Sequence, residues 1–441
     1  MDVDGGRRVF NRLGPSSSSD GGSNNKQQKV CFYWRQGKCT KFPCPYLHSE
    51  LPAASNGKRT AHQGFGTDDK YRAGGGLRRS GNNNYFNNYS KVWGREQSRQ
   101  PATDDRTTVK KIDKLCNNWK AQGSCRYGDT CKYLHQWSTG DCFSLLTPLE
   151  GHREVVTGIA LPSGSDKLYT GSQDETIRVW DCQSGQLAGV VNLGGAVGCM
   201  LSEGPWVFVG LTNLVKAWNI QTSAELSLNG PVGQVYSLVV GYEFLFAGTQ
   251  DGAILAWKFN VAANCFEPAA SLKDHTRAVV SLVVGGNRMY SGSMDQSIKV
   301  WSLETLQCLQ TLTGHSDVVM SVLCWDQFLL SASLDKTVKV WAATETGNLD
   351  VTYTHTEEYG LLTLCGMHDS EGKPVLMCSC NDNSIRVYDL PSFSERGKIY
   401  SQKEVRSIQI GPGGLFFVGD GSGLVRVWKW SNANDSPAAA S

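Results

Sequence analysis

The chain has 441 residues, 40% of them hydrophobic and 19% charged, with a formal net charge of +2. That length exceeds one ordinary core and predicts two or more folded parts, and no run approaches the roughly 18 apolar residues of a membrane span. The opening "MDVDGGRRVF" lacks the apolar run of a secretory signal, so a soluble intracellular protein is expected, with its 15 cysteines serving as metal ligands and small buried hydrophobes instead of disulfides.

The near-neutral total hides an asymmetry. Residues 1–148 hold 24 basic and 12 acidic side chains, whereas residues 149–441 hold 19 and 29. A basic half suits a polyanion such as nucleic acid, and an acidic half repels it. Residues 1–29, with "GPSSSSDGGSNNKQQ", offer almost no apolar surface and are expected to be disordered. Residues 30–49 contain Cys31, Cys39, Cys44 and His48, spaced C-x7-C-x4-C-x3-H. Residues 50–114 read as a disordered Gly/Asn/Arg linker that includes "AGGGLRRSGNNNYFNNYS". Residues 115–136 repeat the ligand pattern with Cys116, Cys125, Cys131 and His135, spaced C-x8-C-x5-C-x3-H. Three thiolates and an imidazole nitrogen are the set that tetrahedral Zn2+ favours, and they leave no open position for catalysis. Segments this short have too little core to fold unaided, so two structural zinc ions per chain are expected.

The two clusters resemble the CCCH zinc-finger family, whose best-known members bind single-stranded RNA. The resemblance implies that Tyr127 and Tyr133, each two residues beyond a cysteine, stack on an unpaired base, while Arg126 and Lys132 beside them meet phosphates. In the first finger Tyr46 takes the matching place and Phe42 a looser one. Trp34 and Trp119, each three residues after a first cysteine, are expected to pack against the metal core. The 67 residues between His48 and Cys116 form a flexible spacer of roughly 45 Å, so the fingers are expected to act as independent grips.

Residues 142–430 change texture. One unit recurs, as "YTGSQDETIRVWD", "YSGSMDQSIKVWS" and "LSASLDKTVKVWA", with weaker copies that close at Trp218, Trp257, Tyr388 and Trp428. Seven copies at steps of about 40 residues resemble the WD-repeat family, which implies a mainly β fold, a seven-bladed propeller. Apolar alternation such as Ile177 and Val179 gives each strand a buried face, and Gly/Asp turns reverse the chain. His152, His275 and His315 pair in the pattern with Asp174, Asp295 and Asp335. A set such as His315, Ser331 or Ser333, and Asp335 invites a hydrolase reading; its threefold recurrence argues instead for the hydrogen-bonded tetrad that the WD resemblance implies. The copies at Trp218, Trp257 and Trp428 lack the histidine, and the first of these is one residue short across its turn, so irregular blades are expected there. The last repeat is one strand short, and "FSLLTPL" at 143–149 is placed to supply it. Residues 431–441 read as a disordered tail.

Together, two CCCH fingers ahead of a seven-repeat propeller resemble the plant family named for that pairing, the CCCH and WD-repeat (zfwd) proteins. The family implies nucleic-acid binding, with RNA or DNA as target, and nuclear residence, with a cytoplasmic fraction also compatible. The resulting expectation is a non-enzymatic adaptor: fingers that bind nucleic acid, single-stranded RNA in preference to DNA, and a propeller that offers a surface to protein partners. No membrane, catalytic residue or small-molecule substrate is expected, since neither a P-loop nor an HExxH helix is present. The rival readings are a DNA-binding transcription-associated factor and a substrate receptor of a cullin-type ubiquitin ligase. The first lacks a helix shaped for the major groove. The second commonly carries Trp-Asp-x-Arg, where this chain has "WDCQ" and "YDLP".

Overall fold

Strands with one apolar face cannot stand alone in water, and a ring of sheets buries all such faces against one another. The computed structural model describes residues 111–140, 142–369 and 371–430. The expected disordered residues 1–29, the first finger with its zinc ligands Cys31, Cys39, Cys44 and His48, together with Phe42 and Tyr46, most of the linker and the tail 431–441 lie outside the described residues.

Two short strands open the described chain, β1 (Ile112–Leu115) and, after the helix α1 (Asn117–Gln122), β2 (Tyr133–Leu134). They pair in parallel, Ile112 beside Tyr133 and Leu115 beside Leu134. The linker expected to run to residue 114 therefore ends earlier, because Ile112–Leu115 is strand. Next come β3 (Ser138–Thr139) and β4 (Phe143–Leu149). The first full sheet consists of Val156–Ala160, Lys167–Ser172, Thr176–Asp181 and Leu187–Asn192, all antiparallel. Sheets of the same order begin at Val279, Val319, Leu361 and Val405. The innermost strand Val405–Ile410 lies against Val156–Ala160, so the ring closes.

The expectation of seven blades is corrected to six sheets. The copies closing at Trp218 and Trp257 share one six-stranded sheet, because two long strands, Trp206–Asn219 and Glu225–Gly241, each run through what is elsewhere a break. Trp206–Asn219 pairs with Cys199–Glu203 through residues 206–210 and with Glu225–Gly241 from Thr212 onward. The fusion coincides with the short turn: where a regular copy reverses through a longer Gly/Asp loop, this one has Leu211, Thr212 and Asn213, with Asn213 at a φ of 62°, and the pairing shifts register between Thr212 and Leu214. The irregularity expected at Trp218 is found.

β4 occupies the place foreseen for 143–149. It pairs with Val425–Trp430 from Trp430↔Phe143 to Val425↔Leu149 and completes the last sheet. The strand segments nearest the axis surround a cavity of about 920 Å3, with Thr157, Gln234, Ser281, Thr363 and Arg406 in its wall. Among the described residues no helix is long and apolar enough to cross a membrane.

The three histidines form the expected tetrads. His315 Nδ1 lies 2.8 Å from Asp335, its Nε2 2.8 Å from Ser331 Oγ, and the Trp341 indole N–H donates to that same hydroxyl at 2.8 Å. His275, Asp295, Ser291 and Trp301 repeat the arrangement, as do His152, Asp174, Thr170 and Trp180. In the copy ending at Tyr388 a different lock is built: the Tyr388 hydroxyl donates to buried Glu357, which also pairs with Arg386 Nη1 at 3.0 Å.

These locks predict how stability responds to acid. Burial holds His152 and His315 below the ordinary histidine value and outweighs the opposite pull of Asp174 and Asp335. Burial alone would raise Asp174, yet hydrogen bonds from Thr176, the Arg153 N–H and His152 bring it down to about 2. Below the unfolded histidine value of 6.5 the unfolded chain takes up protons that the folded chain refuses, and below 3.8 the carboxylate adds to the same difference. Stability therefore falls with falling pH, starting below about 6.5 and steepening below about 4. Denaturant midpoints measured at about pH 7.5, 5.5 and 4 should descend in that order; a midpoint that rises on acidification would show that other groups govern it.

Candidate zinc centre and nucleic-acid interface

The second finger builds its site from three turns of chain. Cys116 sits at the N-terminal boundary of α1, and Gly123, at a φ of 69°, ends the helix by donating its N–H to the Trp119 carbonyl. That left-handed conformation is open to glycine at no steric cost. A single 3-10 turn, Gly128–Thr130, then carries the chain to Cys131, and β2 delivers His135. The ligand atoms of Cys116, Cys125, Cys131 and His135 all lie within 4.8 Å of one another. They are the four residues expected from the spacing.

The chemistry of this set fits zinc. His135 Nε2 is buried and has no hydrogen-bond partner, a costly state for a free imidazole and a natural one for a metal ligand. Cys116 and Cys131 are buried, each only 4% exposed. The backbone N–H of Trp119 does most to bring the Cys116 thiol down to about 6, against the opposite pull of burial, in favour of the thiolate that a metal requires. Apart from the two cysteines, Leu134 is the finger's buried apolar side chain, so little but the metal would hold its turns together. Cys116, Cys125, Cys131 and His135 would hold the ion, which supplies structural cross-linking and no reactive position.

The tyrosines point the opposite way. Tyr127 is 52% exposed and Tyr133 43%, although both flank a rigid cluster. The Arg126 guanidinium lies over the Tyr127 ring, 4.7 Å from its centroid, and also donates to the Tyr127 hydroxyl at 2.6 Å. Lys132 is exposed beside Tyr133. Sequence reasoning missed one neighbour: exposed Ile112 lies opposite Tyr133 in the β1–β2 pair and widens its apolar surface. Trp119 faces inward, stacked on His135 with ring centroids 6.0 Å apart and in contact with Trp137 at 5.1 Å.

The finger also has a docked face that the sequence did not announce. Asp113 accepts hydrogen bonds from Lys398 Nζ and the Tyr400 hydroxyl, and Lys120 Nζ donates to the Gln402 carbonyl. β3 extends the sheet that begins at Leu361, pairing Ser138 with Ile399 and Thr139 with Lys398.

Comparison with known proteins agrees with this anatomy. Residues 113–136 match the family "Zinc finger C-x8-C-x5-C-x3-H type (and similar)", and residues 143–181, 266–302 and 306–342 match "WD domain, G-beta repeat". Zinc finger CCCH domain-containing protein 48 of Arabidopsis thaliana is 65% identical over 439 residues, covering 98% of either chain. Zinc finger CCCH domain-containing protein 63 of the same plant is 61% identical over 448 residues, again 98% of each. Zinc finger CCCH domain-containing protein 17 of Oryza sativa subsp. japonica is 57% identical over 426 residues, 97% of this chain and 96% of its own. With a zinc-binding Cys3His cluster ahead of a WD-repeat propeller and such relatives along nearly its whole length, the chain belongs to the plant CCCH zinc-finger proteins that carry WD repeats.

Proposed function

We propose that this protein is a non-enzymatic, nuclear adaptor that grips single-stranded RNA with its fingers, each built around one structural zinc ion, and presents its propeller to protein partners. The observation that carries the RNA reading is the pair of half-exposed tyrosines, Tyr127 and Tyr133, mounted on the metal cluster with Arg126 and Lys132 next to them. In the free protein Arg126 lies over the Tyr127 ring, and the exposed surface that remains on both tyrosines is what an unpaired base can cover. Duplex DNA keeps its bases stacked, and the described finger offers only the six-residue α1, too short to read a major groove. The upstream cluster Cys31, Cys39, Cys44 and His48, with Tyr46 and Phe42, is assigned a second zinc and a second grip. The acidic charge of residues 149–441 suits the propeller to protein contacts and not to the nucleic acid itself.

The test is binding by wild-type and substituted protein. Tyr127→Ala and Tyr133→Ala should each weaken single-stranded RNA binding by roughly 5- to 150-fold, the equivalent of about 1–3 kcal/mol per stacked base, with the salt dependence nearly unchanged. Lys132→Ala should lower the salt slope instead. Competition by duplex DNA of equal length should be weak. Unaltered affinity in both tyrosine variants, with zinc retained, would overturn base stacking, and efficient competition by duplex would overturn the RNA preference.

A further inference from the structure

The contacts of the second finger run in an unbroken series from a metal ligand into the last sheet of the ring. The His135 ring stacks on Trp119, their planes 13° apart, and Trp119 touches Trp137. Trp137 lies under the Arg426 guanidinium, 4.1 Å from ring centroid to Cζ. It also packs against the cluster containing Phe143, Trp428 and Trp430. Arg426 is buried and paired with buried Asp420 at 3.2 Å. On the neighbouring sheet Asp113 ties to Lys398 and Tyr400, and the Tyr400 N–H donates to the Trp137 carbonyl at 2.8 Å. The propeller makes room for this: a Cβ on Gly397 would stand 2.1 Å from the Thr139 carbonyl oxygen of β3.

The last sheet also lacks a support that other sheets have. It contains the closing strand β4, and its tryptophan lacks the lock found in three other copies. Trp180, Trp301 and Trp341 each donate to a buried hydroxyl, while the Trp428 indole nitrogen is buried with no partner. Val418 stands ten residues before Trp428, where those copies have Thr170, Ser291 and Ser331.

We infer that the metal-loaded second finger is a structural part of the propeller, replacing the missing lock in the last sheet, so that metal occupancy governs the stability of ring closure. Metal binding orders Trp119 and His135, these position Trp137, and Trp137 covers the Arg426–Asp420 pair and the unlocked Trp428 region. A cysteine cluster at this point makes the propeller responsive to zinc supply, and the inference does not rest on nucleic-acid binding.

The experiment uses the full chain with and without a zinc chelator, read by amide hydrogen exchange and thermal unfolding. On chelation the amides of Tyr400 and of Val425–Trp430 should lose protection by at least about tenfold, those of Ile298–Ser302 in a locked sheet should keep theirs, and the propeller melting temperature should fall by about 3–8 °C. Gly397→Ala forces β3 off its edge and should lower the zinc-loaded melting temperature to that of the chelated wild type, with no further response to chelator. Lys120→Met, a milder change, should leave the fold intact and shrink the chelator-dependent shift. Zinc release with unchanged exchange at 425–430 would overturn the inference. So would a chelator-dependent shift undiminished in both variants.

Discussion

A chain that begins at Gly151 is expected to lose its closed ring, melting far below one that begins at Asp141. The last sheet has three strands of its own, and β4 supplies the fourth, bonded along its length from Phe143 to Leu149. Removing it deletes Phe143 and Leu149, 5% and 4% exposed in the intact fold, and uncovers the faces of Trp428 and Trp430 that Phe143 covers. Burying two such side chains is worth about 3–6 kcal/mol. That is comparable to the whole stability of many domains, about 5–15 kcal/mol, before the open edge of Val425–Trp430 is counted as a site for aggregation. A third chain that begins at Lys111 separates the two devices at the seam, since it restores the finger as well as the strand. The expected order of melting temperature is 151 well below 141, and 141 below 111. Equal values for the first two would mean that closure does not depend on β4.

The parts of this protein that were legible in its sequence are those whose chemistry is local in the chain. Cys116, Cys125, Cys131 and His135 fall within 20 residues, and a four-ligand set at that spacing has few uses other than one ion. The histidine tetrads were legible for a related reason, since repetition turned three copies of a triad-like set into evidence for a lock. Even β4 could be placed, because a ring has no free edge and one repeat was a strand short. The fusion of two repeats into a six-stranded sheet was only half visible: the sequence shows a turn one residue short, and hydrogen bonding decides whether the chain breaks there or runs on. That the finger lies near the propeller follows from how soon β4 comes after His135, but the residues that seat it were not visible. Lys120 and its acceptor Gln402 are 282 residues apart, and Asp113 is 287 from Tyr400. Asp113, Lys120 and Trp137 look like ordinary members of a basic, aromatic segment until the ring brings residues 398–402 and 420–426 beside them. Charge counting by halves supports an expectation about nucleic acid and says nothing of the side-chain contacts that join finger and propeller.

Replacing one metal ligand should do more to nucleic-acid binding than replacing either Tyr127 or Tyr133. Cys131→Ser removes a ligand that is 4% exposed and leaves three donors around a site whose geometry needs four. Within itself the finger has almost nothing to fall back on. Its secondary structure is a six-residue helix, one 3-10 turn and a two-residue pairing, and Leu134 is its buried aliphatic side chain, worth about 2 kcal/mol. Zinc in small structural sites contributes about 10–16 kcal/mol at neutral pH, so the turns that carry Tyr127 and Tyr133 lose their frame together. The expected result is the loss of one zinc per chain and a fall in single-stranded RNA affinity at least as large as that of the double variant Tyr127→Ala, Tyr133→Ala. Cys44→Ser should remove the other zinc, assigned to the upstream finger, and leave the exposure of Tyr127 and Tyr133 as it was. Elemental analysis counts the metal and fluorescence anisotropy on a labelled single strand measures the binding. A Cys131→Ser protein that has lost its zinc and still binds as the wild type does would show that the grip lies outside this finger.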